Sequence, residues 1–193
     1  MSEGRKLEKL GYENLQKNKI QEAESNFLNA LKEMEKEGDD SGQAYVLGNL
    51  GNICFQSKQF DKAEEFYSRS LTFMEKLKDA KGIESSLGNL GSVYFYKGSF
   101  DKAEENYQKA MDIMVEANDP LGQGIYSEYL GNIFLKKEEA EKMSNKKKFS
   151  ETKVGAFLSK AAPGILGTVG DVLPDNGVFG LVKNLIQKEP SLP

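Results

Sequence analysis

The chain has 193 residues with 26 basic and 30 acidic side chains and no histidine, the size of one ordinary domain or of a short repeat array with an appendage. Its net charge of −4 gives no electrostatic case for a nucleic-acid binder, and the missing histidine removes the commonest general base and metal ligand. The single cysteine, Cys54, permits no internal disulfide.

Residues 1–5 lead into polar, amphipathic sequence without the apolar core of a signal peptide. No run of about 18 apolar residues occurs, so a cytoplasmic location is expected. The charge is unevenly spread. Residues 1–135 carry 16 basic and 23 acidic groups, residues 136–153 seven lysines against four glutamates, and residues 154–193 three of each.

Four blocks align along the first 137 residues, beginning at Leu10-Gly11-Tyr12, Leu50-Gly51-Asn52, Leu90-Gly91-Ser92 and Leu130-Gly131-Asn132, so the period is 40. In the first three, an alanine follows the glycine by twelve residues (Ala23, Ala63, Ala103), an aromatic comes four later (Phe27, Tyr67, Tyr107), and a small residue three after that (Ala30, Ser70, Ala110). A register held three times predicts a structural repeat. Each block reads as a helix pair whose backbones approach at small residues, with Leu and Phe or Tyr filling the space around them. Polar or breaker dipeptides, Asn18-Lys19, Ser57-Lys58 and Gly98-Ser99, mark the turns inside the pairs. Asp61 and Asp101 fall in the first turns of second helices, where a carboxylate favours the helix N-terminus. Asp119-Pro120 reads as an N-cap followed by proline at the first helical position. No β-type alternation competes in this region.

The fourth block keeps its first half, with Leu130, Gly131 and Phe134, but places Met143, Lys147 and Ser150 where alanine, aromatic and alanine belong. Glu138 occupies the turn position, so the helix over 120–137 is expected to run on into the basic segment 138–153 as a degenerate capping helix.

The spacing Leu-Gly…Ala…Phe/Tyr…Ala resembles the tetratricopeptide repeat, normally 34 residues long. Six extra residues lengthen the second half, in 71–80 and 111–119. Leu87-Gly88-Asn89-Leu90-Gly91-Ser92-Val93-Tyr94 is similar to the 40-residue variety of mitotic-spindle orientation scaffolds. The resemblance spans about residues 4–137. It implies an all-α fold: a right-handed α-solenoid of about three and a half antiparallel helix pairs, followed by a short helical C-terminal tail.

The resemblance also implies a function. First helices line the concave groove of such an array, where a peptide or helix of another protein would lie, so the chain is expected to be a non-enzymatic scaffold or adaptor needing no cofactor. The groove residues carried over are Asn49, Asn52 and Phe55, then Asn89, Ser92, Phe95 and Tyr96, then Tyr129 and Asn132, with Tyr12, Tyr45, Gly48, Ser85 and Gly88 beside them. Asparagine offers donor and acceptor to a peptide backbone, and aromatics supply anchors. The competing reading is that the asparagines bond between neighbouring helices. The subgroup that clamps acidic chaperone tails needs cations in its first helices. Here the corresponding positions hold Gly48, Ile125 and Tyr129, so chaperone-tail binding is not expected.

Nothing else amounts to chemistry. Cys54 reads as a small buried hydrophobe. Glu64-Glu65 and Glu104-Glu105 recur with the period and read as a solvated face. Residues 164–170 mimic a phosphate loop but lack its spacing, its lysine and a preceding strand. In the tail 154–193, glycines and prolines punctuate apolar sequence, and short helices are expected over 163–172 and 178–187. Val178, Leu181, Val182, Leu185 and Ile186 fall on one stripe, which can pack on the array, on a partner, or on a membrane beside Lys142, Lys146, Lys147, Lys148 and Lys153. Peripheral membrane attachment through 142–188 is therefore the alternative function.

Overall fold

A computed structural model describes residues 1–151, and these are almost wholly helical. In chain order they form α1 (Glu3–Gln16), α2 (Ile20–Glu37), α3 (Asp40–Gln56), α4 (Phe60–Leu77), α5 (Ala80–Tyr96), α6 (Phe100–Glu116) and α7 (Pro120–Glu151). No strand occurs among the described residues. The chain divides into two units, Met1–Leu135 and Lys136–Pro193. The tail helices expected over 163–172 and 178–187 lie outside the described residues.

The first unit is a stack of helix pairs. α1 packs on α2, α3 on α4 and α5 on α6, while α2 meets α3 and α4 meets α5. α1 also touches α3, so first helices of successive pairs are neighbours, as in an α-solenoid. The three pairs and the start of α7 give the expected three and a half repeats. The second helices carry the extra length of the 40-residue period, α4 reaching Leu77 and α6 reaching Glu116.

Both kinds of turn repeat with the same period. Inside the pairs, Asn18, Lys58 and Gly98 have φ of 57°, 58° and 73°. Between pairs, Gly38, Lys78 and Asn118 have φ of 69°, 56° and 52°. The left-handed residue closes the preceding helix, so that the next N–H bonds back across the turn, as Asp39 to the Met34 carbonyl at 2.9 Å and Asp79 to the Met74 carbonyl at 3.0 Å. The next helix is then capped by an aspartate. Asp39, Asp79 and Asp119 accept from the backbone N–H groups of Gly42, Gly82 and Gly122 at 2.8, 3.0 and 3.1 Å. Of these caps, only Asp119 was evident in the sequence pattern; Asp39 and Asp79 stand 80 and 40 residues before it.

Glycine holds the pairs together for a steric reason. A Cβ at Gly11 would lie 2.6 Å from the Phe27 ring, at Gly51 2.5 Å from Tyr67, and at Gly91 2.6 Å from Tyr107. Each ring lies on bare backbone, and each is buried. Rings of this size remove about 150–250 Å² from water apiece. A second series, Gly42, Gly82 and Gly122, does the same between pairs, against Met34, Met74 and Met114. Alanines 23, 30, 63, 103 and 110 are fully buried in the same layers.

α7 begins like a first helix, burying Tyr126 and Ile133 against α6 with Leu130 partly covered. Beyond that face it is open. Among the described residues Gly131 has no neighbour where its Cβ would stand, and Phe134 is 67% exposed. The pattern supplies no ring at position 147 to cover them, only a lysine. The described part of the second unit, 136–151, continues the helix without a break at Glu138, and it carries exposed ion pairs such as Lys136–Glu139 at 2.8 Å and Lys142–Glu138 at 3.0 Å.

Candidate functional site

A cavity of about 390 Å³ opens on the side formed by α1, α3 and α5. Tyr12 comes from α1; Tyr45, Gly48, Asn49 and Asn52 from α3; Ser85, Ser86 and Asn89 from α5; Ser70 and Met74 of α4 close its floor. The small residues at 44, 48, 70, 82, 85 and 86 leave this space open, and the same small residues let the helices approach.

Its polar groups fall into two kinds. Some are occupied by the fold. The Asn49 amide donates to the Tyr12 hydroxyl at 2.7 Å and to the Tyr45 carbonyl at 2.9 Å, tying the first pair to the second. Asn52 Oδ1 accepts from the Tyr67 hydroxyl at 2.6 Å. Ser92, one period later, stands 2.9 Å from the Tyr107 hydroxyl. Asn52 and Ser92 thus serve one purpose: each pairs with the hydroxyl of the ring that lies on the neighbouring glycine. The first repeat has Phe27 there, which carries no hydroxyl, and the facing residue is Tyr12, packed edge-on at 5.4 Å. Burial pushes the Tyr67 hydroxyl well above its ordinary pKa, so it stays a donor.

The other kind is open. Asn89 is half-buried on the cavity wall, with no hydrogen-bond partner among the described residues. Tyr45 belongs with the occupied groups: it donates to Asp79 at 3.2 Å, and that carboxylate raises the Tyr45 pKa. Lys81 is exposed at the rim.

The remaining residues expected in a groove lie outside this cavity. Phe55, Phe95 and Tyr96 gather with Phe60 and Phe100 where the pairs turn, Phe60 stacking on Tyr96 at 5.7 Å and Phe95 meeting Phe100 edge-on at 5.7 Å. Tyr96 is 65% exposed there. Tyr129 of α7 lies 4.9 Å from the Tyr107 ring. Asn132 is exposed on α7, two periods after Asn52 but with no tyrosine to receive among the described residues. The structure therefore brings Asn49, Asn52 and Asn89 to one cavity and distributes the aromatic candidates along the stack.

Two features of this side escaped the sequence pattern. Ser70 donates to the Ala44 carbonyl at 2.8 Å and stands 3.5 Å from the Ser86 hydroxyl, so two buried hydroxyls meet beneath the cavity. Tyr126 donates to Glu84 at the next junction. On the outer side, Glu64 is no free solvated charge: Lys97 donates to it at 2.6 Å and Tyr94 at 2.9 Å. Cys54 is buried, and burial raises its thiol pKa. Among the described residues, no three acidic, cysteine or histidine side chains converge as metal ligands.

Tetratricopeptide repeat profiles match residues 7–76 and 84–113, together just over half of the chain. No curated protein gives a significant match. Among solved structures, BtubC (BKLC) from P. vanneervenii is similar, with 20% identity and a TM-score of 0.61 over 88% of this chain and 65% of that one. The chain thus spans just under two thirds of that protein, and at this identity the likeness concerns the fold. With three helix pairs in a 40-residue register, rings on glycines and matches to the repeat profiles, the chain belongs to the tetratricopeptide repeat family.

Proposed function

We propose that the chain is a non-enzymatic adaptor that holds a peptide segment of another protein on the side formed by α1, α3 and α5. Tetratricopeptide repeats are protein-interaction scaffolds, and the coarse role follows from the family. The finer reading rests chiefly on one observation: Asn89 is an amide with no partner among the described residues, on the wall of an open, partly polar cavity. A half-buried amide can donate to a peptide carbonyl and accept from a peptide N–H at once, and pockets of a few hundred Å³ suit one or two side chains.

The test is selection of displayed random peptides with the full chain, followed by calorimetric titration of the selected peptides. Asn89→Ala should lower their affinity about fivefold or more, the range of a lost hydrogen bond of about 1 kcal/mol, while the thermal midpoint stays within a degree or so. Peptides that bind Asn89→Ala as tightly as the parent would place the binding surface elsewhere.

A further inference from the structure

The last two junctions of the stack, α3 to α5 and α5 to α7, can be compared residue by residue, since they lie 40 positions apart. At the later one, Gly88 of α5 lies beneath Tyr126 of α7. A Cβ on Gly88 would come 2.5 Å from the tyrosine hydroxyl and 3.3 Å from its ring. Tyr126 is only 6% exposed, and its hydroxyl is held by Glu84. That glycine is required by packing.

At the earlier junction the equivalent glycine is Gly48 of α3, and the residue equivalent to Tyr126 is Ser86. A Cβ on Gly48 would meet nothing nearer than the Ser70 hydroxyl at 3.7 Å, an ordinary contact. Packing among the described residues gives no reason for a glycine here, although glycine inside a helix is destabilising. The space that the Tyr126 ring fills at one junction is left unfilled at the other, and it opens into the cavity. Its floor is sealed by Ser70 and Ser86, whose hydroxyls are already engaged with each other and with Ala44. Its wall carries the amide of Asn89, which has no partner among the described residues.

We propose that this niche above Gly48 receives an aromatic side chain of the bound peptide, which takes the place that Tyr126 takes one repeat later. The inference rests on the groove reading above and narrows its ligand to a class. The ring lies on the bare α3 backbone as Tyr126 lies on α5, and Asn89 at the rim bonds the main chain that carries it. Position 44 holds alanine where position 84 holds glutamate, so the carboxylate that receives the Tyr126 hydroxyl has no equivalent here, and the cavity's own Asp79 already accepts from Tyr45. Phenylalanine therefore fits at least as well as tyrosine.

The experiment titrates the full chain, labelled for amide NMR, with N-acetyl-phenylalaninamide, N-acetyl-leucinamide and N-acetyl-glycinamide. The phenylalanine probe should bind saturably with Kd on the order of millimolar, as expected of so small a ligand, and should shift the amides of Gly48, Gly82 and Ser86. Ser86→Phe, which builds the ring from inside, should abolish that binding. Gly48→Ala, which meets no clash, should weaken it severalfold and serves should Ser86→Phe not fold. No saturable binding, equal binding of the leucine probe, or shifts confined to other residues would overturn the proposal. So would undiminished binding to both variants. The selected peptides separate this from the groove reading. Peptides without aromatic residues that respond to Asn89→Ala but not to Ser86→Phe would leave the groove standing and remove the niche. A phenylalanine probe that binds and is excluded by Ser86→Phe, with no peptide selected, would do the reverse.

Discussion

Glycines 11, 51, 91 and 131 occupy one register of the repeat, yet they do not share one environment. The first three lie under the rings of Phe27, Tyr67 and Tyr107, whereas no described residue lies over Gly131. The difference comes from the second helix. α2, α4 and α6 each return a ring sixteen residues after the glycine, and α7 instead runs on through Lys147. A glycine inside a helix costs about 0.5–1 kcal/mol relative to alanine. In three repeats that cost is offset by the burial of a ring; in the fourth the described residues offset it with nothing. Sequence periodicity thus records where a contact would be, and only the partner helix decides whether the contact exists.

The sharpest way to break this comparison is to fill the register. Gly91→Leu drives a branched side chain into Tyr107, and because a lone Cβ already falls 2.6 Å from the ring, the loss should exceed the usual overpacking range of about 1–3 kcal/mol. Gly131→Leu should cost nothing or stabilise slightly. Urea unfolding of the two variants side by side is the measurement. Equal losses at the two sites would show that the ring-on-glycine contact does not hold the pairs.

How much of this was legible beforehand depends on the range of each contact. The helix pairs, their turns and the lengthened second helices follow from spacings that recur within a chain of fixed pitch, so Gly51, Ala63 and Tyr67 together predicted them. The Met34–Gly42 and Met74–Gly82 contacts recur as faithfully, but methionine and glycine carry no obvious pattern of their own. The roles of the asparagines were less legible. Asn52 and Asn89 look equally available in a helix that lines a groove. What separates them is the Tyr67 hydroxyl, fifteen residues from Asn52 and across a helix interface. The aromatic candidates separated for a similar reason. Phe55, Phe95 and Tyr96 lie at the last turns of their helices, beside Phe60 and Phe100 at the starts of the next, so the turns gather them away from the cavity.

That distinction between the asparagines gives the next effect in size. Asn52→Ala leaves the hydroxyl of Tyr67, a residue 2% exposed, without its acceptor, and an unsatisfied buried donor costs about 1–3 kcal/mol. Tyr67→Phe removes donor and demand together and should cost less. Asn89→Ala should leave stability unchanged. If thermal unfolding gives Asn52→Ala and Asn89→Ala the same midpoint, the bracket role of Asn52 is refuted.

The turns allow a test with the opposite sign. Gly38 and Lys78 occupy the same left-handed position one period apart, and a side chain there costs about 1–2 kcal/mol relative to glycine. Lys78→Gly should therefore stabilise by up to about 1 kcal/mol, part of the gain being lost to the freer unfolded chain. Gly38→Ala should destabilise by a similar amount. A Lys78→Gly variant that unfolds earlier than the parent would mean that the Lys78 side chain does more than tolerate the turn.

The smallest effect is electrostatic and lies on the outer side of the second and third pairs. Lys97 bridges Asp61 at 2.7 Å and Glu64 at 2.6 Å. Burial alone would raise the Glu64 pKa, but hydrogen bonds from Lys97 and Tyr94 outweigh it and hold the carboxyl below its ordinary value. A group with a depressed native pKa binds its proton less readily when folded than when unfolded. Its contribution is therefore complete above the unfolded pKa, about 4.3 for glutamate, and is lost as pH falls through the lower native value. Both partners remain partly solvated, so the pair is worth about 0.2–1 kcal/mol. Lys97→Met should lower stability by that amount at pH 7. As pH falls through the depressed native pKa of Glu64 the difference from the parent should shrink, because that carboxylate then loses the charge that Lys97 serves. Urea midpoints at pH 7, 5 and 3 supply the comparison, and a Lys97→Met deficit that persists undiminished in acid would assign Lys97 a packing role for its aliphatic stem instead.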